Sequence, residues 1–158
     1  MKNNPELIKQ VKQIYDWLDT QIKNNRRVKD SCHACGKCCS FEEFGHRLFI
    51  TTPELYLLNS TVKETRSMTT DTCPYNKDGK CSIYKHRFAG CRIFFCKADK
   101  NFQSVLTENA LKKLKQICRQ FNIPYRYMDL KTALDQPPLN IGPSDAPPHP
   151  PEHEGQYT

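Results

Sequence analysis

Eight cysteines fall within the 65 residues from Cys32 to Cys96, written Cys32-His-Ala-Cys35-Gly-Lys-Cys38-Cys39 and then Cys73, Cys81, Cys91 and Cys96. A Cys-x-x-Cys step places two thiolates on one tight loop, each able to reach the same ion at about 2.3 Å in the case of zinc. Here the step repeats, so Cys32, Cys35 and Cys38 are expected on one face of a turning loop. Gly36 allows the backbone twist between the second and third of them. Three ligands at this spacing plus one remote cysteine is also the plan of a 4Fe–4S site, and Cys73-Pro74 has the Cys-Pro step of a ferredoxin fourth ligand. Side chains of adjacent residues point in different directions, so Cys38 and Cys39 are expected to serve two sites or to share a polynuclear cluster. Eight cysteines make two tetrahedral sites or one larger assembly.

The redox compartment decides between metal and disulfide. The first ten residues, MKNNPELIKQ, carry no apolar run and no small-residue cleavage site. No stretch approaches the roughly 18 apolar residues of a membrane span. The expectation is a cytoplasmic protein with no membrane partner, in which thiols stay reduced and cysteine clusters hold metals. A disulfide framework would need export, and the total of nine cysteines pairs poorly. Apolar residues make up only 37% of the chain, so a core of this size gains from a metal staple.

Charge has two readings. Residues 135–158 contain Asp135, Asp145, Glu152 and Glu154 but no Lys or Arg, which leaves 24 basic against 13 acidic residues, a balance of +11, in residues 1–134. Four thiolates around one zinc ion, or around a 4Fe–4S core, carry a net charge of about −2, so part of this excess is expected to offset thiolates. The competing reading, a zinc-stapled module for RNA or DNA, lacks a lysine stripe with interleaved aromatics.

The flanks are helical in pattern. Residues 5–23 place Leu7, Val11, Ile14, Leu18 and Ile22 on one face, with Asn4 as N-cap and Pro5 at the first helical position. A second helix is expected over 107–121, capped by Thr107, with Leu111, Leu114, Cys118 and Phe121 on one face and Leu106 and Leu111 at hydrophobic-staple spacing. Between them, 47–52 reads as a short strand and Thr52-Pro53-Glu54 as the cap and first turn of a helix running to Leu58. Asp78-Gly79 marks a tight hairpin turn. The segment YRYMDL reads as a terminal strand or extended arm. Residues 135–158 hold seven of the eleven prolines and read as a disordered tail. The fold class expected is therefore mostly α with irregular Cys-rich loops and little sheet. It is a single small domain over 1–134, built around the core motif 32–96.

The segment 32–39 resembles the signature of the CxxCxxCC family of zinc- or iron-chelating proteins, the YkgJ-like cysteine-cluster proteins. The resemblance continues through Cys73-Pro74, Gly79-Lys80-Cys81, Ile83-Tyr84, Arg87, Cys91-Arg92-Ile93-Phe94 and Cys96. Phe88 and Phe95 stand where that family often has proline, and neither change removes a ligand. The resemblance implies metal binding through Cys32, Cys35, Cys38, Cys39, Cys73, Cys81, Cys91 and Cys96, with zinc or iron, including a 4Fe–4S cluster, as the bound species. A related cysteine pattern occurs in flagellin lysine methylases, which resemble iron–sulfur proteins, but the six scattered glycines form no nucleotide-binding loop here.

Several residues carry two readings each. His33 and His86 are candidate substitutes for a thiolate. Arg87 and Arg92 are candidates to offset sulfur charge or to form surface ion pairs. Tyr84 reads as packing, Glu42-Glu43 as a solvated turn, His149 and His153 as part of a solvated tail, and Cys118 as a core thiol rather than a redox partner. The leading expectation is a metal-binding protein rather than an enzyme. The alternative is an iron–sulfur oxidoreductase or protein-modifying enzyme component.

Overall fold

A computed structural model describes residues 4–25, 34–94 and 99–136. Of the expected tail over 135–158, only residues 135 and 136 are described, Asp135 as the last residue of a short helix; residues 137–158 and the candidates Cys32, His33 and Cys96 lie outside. The described chain is mostly helical, with the expected small share of sheet. No described helix is long and apolar enough to cross a membrane.

Helix α1 spans Pro5–Asn24 and begins as its residues dictate. The Leu7 amide donates to Asn4 Oδ1 at 3.1 Å, Pro5 occupies the first turn and Glu6 faces the positive end of the helix dipole. Its buried stripe is Leu7, Val11, Ile14, Tyr15 and Leu18. The other long helix, α5, starts at Lys100 rather than at 107 and ends at Gln120. Asp99 is the N-cap, accepting from the Asn101 amide at 2.8 Å. Thr107 sits inside the helix and turns its hydroxyl onto the Gln103 carbonyl at 2.7 Å. The early turns escape a periodicity reading because, of residues 100–106, only Leu106 is fully buried. The inward face is Leu106, Ala110, Leu114, Ile117 and Cys118, whereas Leu111 and Phe121 are only half-buried. At its C-terminal end Asn122 takes a left-handed conformation and the Ile123 amide returns to the Cys118 carbonyl at 2.9 Å, which closes the helix before Pro124.

Strand β1 (Phe49–Thr51) runs straight into helix α3 (Thr52–Thr61). The cap of α3 is Thr51, one residue earlier than expected, and the helix continues three residues past Leu58. Strand β4 (Tyr127–Asp129) pairs antiparallel with β1, with Ile50 opposite Met128, so the expected terminal strand exists. Helix α6 (Leu130–Asp135) follows, capped by Asp129, and was not visible in the sequence: its buried set is only Leu130, Ala133 and Leu134. The expected hairpin is present as β2 (Asn76–Lys77) and β3 (Lys80–Cys81). Asp78 and Gly79 both have positive φ, 52° and 76°, the geometry of a two-residue turn that matches strand twist.

Two apolar clusters result. One gathers α1, α5, Leu57 of α3, and Ala89 and Ile93 of helix α4 (Ala89–Ile93). The other packs β1, α3 and α6 against Tyr75, Ile83 and Phe88, and includes Cys73 with Cys39, Cys81 and Cys91 at its edge. Cys39, Cys73, Cys81 and Cys91 are therefore built onto one core, and the long helices form the other.

Candidate metal centre

Three separate segments carry the described candidate ligands, and backbone contacts join them. Gly36, with φ of 72°, opens a single 3-10 turn over Lys37–Cys39. The Cys39 amide donates to the Gly36 carbonyl at 3.1 Å. The outgoing chain then runs beside residues 71–73. The Phe41 amide donates to the Asp71 carbonyl at 2.9 Å, the Cys73 amide donates to the Cys39 carbonyl at 2.9 Å, and Ser40 and Thr72 form an isolated antiparallel bridge. Asn76 Nδ2 reaches the Gly36 carbonyl at 3.3 Å. The hairpin carrying Cys81 is thereby laid against the cysteine loop.

The closeness of that approach gives Gly36 a second role. A Cβ added at Gly36 would collide with the carbonyl of Gly79 at the hairpin turn. Gly45 also has positive φ, 60°, but an added Cβ there meets nothing within 4 Å. The two glycines thus separate backbone strain from collision. Gly45→Ala is expected to cost about 1 kcal/mol, and Gly36→Ala about 2–5 kcal/mol once the collision is added. Thermal melts of the two variants check this, and equal losses would show that the contact with Gly79 is not what constrains Gly36.

The third segment, α4, is placed by two buried polar groups. Glu54 accepts the Ala89 amide at 2.7 Å, which holds the first residue of α4. Arg92 is buried, 4% exposed, and bonds Asp19 of α1 at 2.6 Å, the Lys85 carbonyl at 2.9 Å and the Arg87 carbonyl at 3.0 Å, with its guanidinium over the Tyr15 ring. Arg92 is thus a clamp between α1 and the chain before α4, and its charge is spent on Asp19. Arg87 is the arginine that faces the sulfurs: it lines their cavity, lies over the Tyr84 ring at 4.0 Å and favours the ionised forms of Cys38 and Cys81.

Together these contacts bring Cys35, Cys38, Cys39, Cys73, Cys81 and Cys91 into the wall of one cavity of about 640 Å³. They are six of the seven described cysteines. The seventh, Cys118, is buried on α5 away from that wall, where burial alone pushes its thiol up to about 12. Cys38 and Cys39 share a side-chain hydrogen bond, as do Cys39 and Cys73. Cys38 and Cys39 lie in a 3-10 turn, where successive side chains are about 120° apart, and both reach the wall of this one cavity, which fits the expectation of a shared polynuclear site better than that of two separate ones.

Cys38, Cys39, Cys81 and Cys91 are each held above the ordinary thiol range in this arrangement. The hydrogen bond with Cys39, then burial, then the charge of Cys39 raise Cys38 far above the ordinary thiol range. For Cys39 the bond with Cys38 is the largest influence and lowers it, but the bond with Cys73 and burial together leave it at about 11. Burial first, and then Cys39, Cys38 and Cys81, raise Cys91. Burial also raises Cys81. Among the described residues, no group of three or more His, Cys, Asp or Glu side chains is arranged to hold a metal ion. By chemistry the donor set nevertheless suits a thiolate-bound metal, since sulfur is abundant in the wall and no described carboxylate lines it.

His86 does not line the cavity, which leaves it outside the sulfur group. The histidine that does line it, His46, was missed in the sequence. Its Nε2 lies 2.9 Å from the Cys38 carbonyl, its ring stacks on Phe94 at 4.4 Å and it meets the edge of Phe41 at 5.3 Å. It therefore ties the cysteine turn to the chain leaving α4. No spacing or period marks it, because its partners come from Cys38, Phe41 and Phe94 in the folded chain. Glu42 and Glu43 are exposed on the short helix α2 (Phe41–Phe44), as expected of a solvated turn. Comparison of the chain with protein-family models, curated proteins and solved structures finds no match.

Proposed function

We propose that this chain is a metal-binding cysteine-cluster protein of the CxxCxxCC kind. It would hold zinc or an iron–sulfur centre through Cys35, Cys38, Cys39, Cys73, Cys81 and Cys91, with Cys32 and Cys96 completing the set. One observation carries the reading: six cysteines from three segments line one cavity, and the remaining described cysteine is excluded from it. Packing alone does not account for this, because thiols raised by burial and by one another gain little from being gathered. A soft metal does, since thiolates are its preferred ligands.

Bound zinc would supply a structural cross-link, and an iron–sulfur centre would supply one-electron redox chemistry. The chain's own residues have definable tasks in either case. The thiols lose their protons on binding, Arg87 offsets part of the thiolate charge beside Cys38 and Cys81, and Phe41, Ile83 and Phe88 keep the sulfurs in an apolar surround. His46 holds the Cys38 carbonyl. The test is metal analysis with an absorption spectrum on protein purified without oxygen. Zinc at or above about one ion per chain in a colourless sample, or iron with absorbance near about 400 nm, is the expected result. Protein with neither metal at stoichiometric level would end the proposal. The iron outcome would also favour the second reading, an iron–sulfur oxidoreductase or modifying enzyme component. That reading draws support from the apolar space adjoining the sulfurs, which a structural zinc site does not need.

A further inference from the structure

The sulfurs account for only part of the cavity wall. Its volume of about 640 Å³ lies in the range of small-molecule sites, about 300–1,000 Å³, and far exceeds what one ion fills. The rest of the wall is mostly apolar and rich in aromatic rings, with Phe44, Phe49, Phe94 and Tyr127 among its residues. Exposure marks the same place. Five large hydrophobic side chains are exposed among the described residues, Phe44, Phe49, Tyr84, Val105 and Tyr127, and all but Val105 line this cavity. Apolar side chains exposed singly are ordinary on a protein surface, but gathered around one opening they mark a binding surface. Phe49 and Tyr127 are held there by the β1–β4 pairing, with ring centroids 5.3 Å apart.

Charge selects the occupant. The cavity is lined by Lys37, Arg47 and Arg87, and by no carboxylate among the described residues. Arg87 is engaged with Tyr84 and bears on Cys38 and Cys81. Arg47 is exposed and makes no ion pair within 4 Å among the described residues; it acts at longer range on Asp129, whose pKa it helps to lower, so a ligand carboxylate would compete only with that longer-range interaction. We infer that the aromatic part of this cavity binds a small organic anion with a flat apolar body, its rings against Phe44, Phe49 and Tyr127 and its carboxylate on Arg47. This reading goes beyond metal binding and does not depend on it.

Three probes that share one ring system and differ in a small polar group test the assignment: 2-naphthoate, 2-naphthalenemethanol and 2-naphthylmethylammonium, titrated calorimetrically into the full chain as purified. The anion is expected to bind at least about tenfold more tightly than the alcohol, and the cation most weakly, because a charge-assisted hydrogen bond is the difference between them. Arg47→Gln, a change at an exposed position, is expected to remove that tenfold preference and leave the alcohol's affinity unchanged. Tyr127→Ser is expected to weaken all three probes by about three- to tenfold through lost ring contact. Absence of binding by every probe, a cation that binds as well as the anion, or an anion preference that survives Arg47→Gln would each overturn the inference. A metal-free chain that still prefers naphthoate would retain this inference while losing the metal proposal.

Discussion

Removal of the metal proposed for the cysteine cavity is expected to lower the melting temperature of the chain by more than about 10 °C, because binding free energy that exists only in the folded state is folding free energy. The loss should be uneven. Cys73 belongs to the core formed by β1, α3 and α6, with Cys39, Cys81 and Cys91 at its edge, whereas α1 and α5 meet in a core that contains no candidate ligand. After treatment with a chelator, hydrogen-exchange protection should fall first over residues 34–48 and 71–94 and persist in the centres of α1 and α5. The gathered thiols supply the reason. Without a metal, Cys38, Cys39 and Cys91 are thiols whose ionisation is opposed by burial and by their neighbours, held by weak sulfur hydrogen bonds. An unchanged melting temperature after complete metal removal would show that the cluster does not stabilise this fold.

Substitution of Glu54 is the second large effect. This carboxylate is 2% exposed and accepts four hydrogen bonds, from the Thr51 amide and hydroxyl at 2.8 Å each, the Ala89 amide at 2.7 Å and the Tyr15 hydroxyl at 3.2 Å. It joins α1, the start of α3 and the start of α4 at one point. Glu54→Ala would leave these buried donors without a partner and open a cavity, at an expected cost of about 4 kcal/mol or more. Glu54→Gln keeps the volume but turns an amide NH₂ toward backbone amides that can only donate, at about 2–3 kcal/mol. Because Ala89 begins the helix that carries Cys91, either variant should also lower metal occupancy.

The charge of Glu54 has a pH signature. Burial raises its pKa above the ordinary carboxylate range, outweighing the hydrogen bonds from Ala89, Thr51 and Tyr15 that pull it down. A raised folded value means that the folded state holds the proton more tightly than the unfolded chain does. The contribution to stability is therefore complete below the ordinary carboxylate range and declines as pH rises through the raised value. Urea titrations from about pH 4 to 8 should show this decline in the wild type and its absence in Glu54→Gln. Parallel pH dependences in the two proteins would place the titrating group elsewhere.

Much of the fold follows from local chemistry. Asn4-Pro5-Glu6 and the stripe through Leu18 specify α1, and Asp78-Gly79 specifies the hairpin before Cys81. The start of α5 did not, because its first turns bury little and Thr107 has the composition of a cap without the position of one. Helix α6 escaped for a related reason: three buried residues make no period. The candidate ligands were named from spacing alone, but their company was not. His46, Phe44, Phe49 and Tyr127 reach the sulfurs' cavity only through the β1–β4 pairing and the packing of Phe41 and Phe94 around the histidine ring.

The sequence by itself determined the two long amphipathic helices, the mostly helical class and the cysteines that stand out as a set, since caps, periodicity and ligand spacing act over a few neighbouring residues. Only the tertiary structure decided that Cys38 and Cys39 share one cavity, that Arg87 rather than Arg92 faces them, and that Glu54 anchors the helix bearing Cys91. Each of these depends on backbone conformation or on partners distant in the chain. The turn at Lys37–Cys39 carries both thiols to one cavity wall, and Asp19, 73 residues from Arg92, draws that arginine away from the sulfurs.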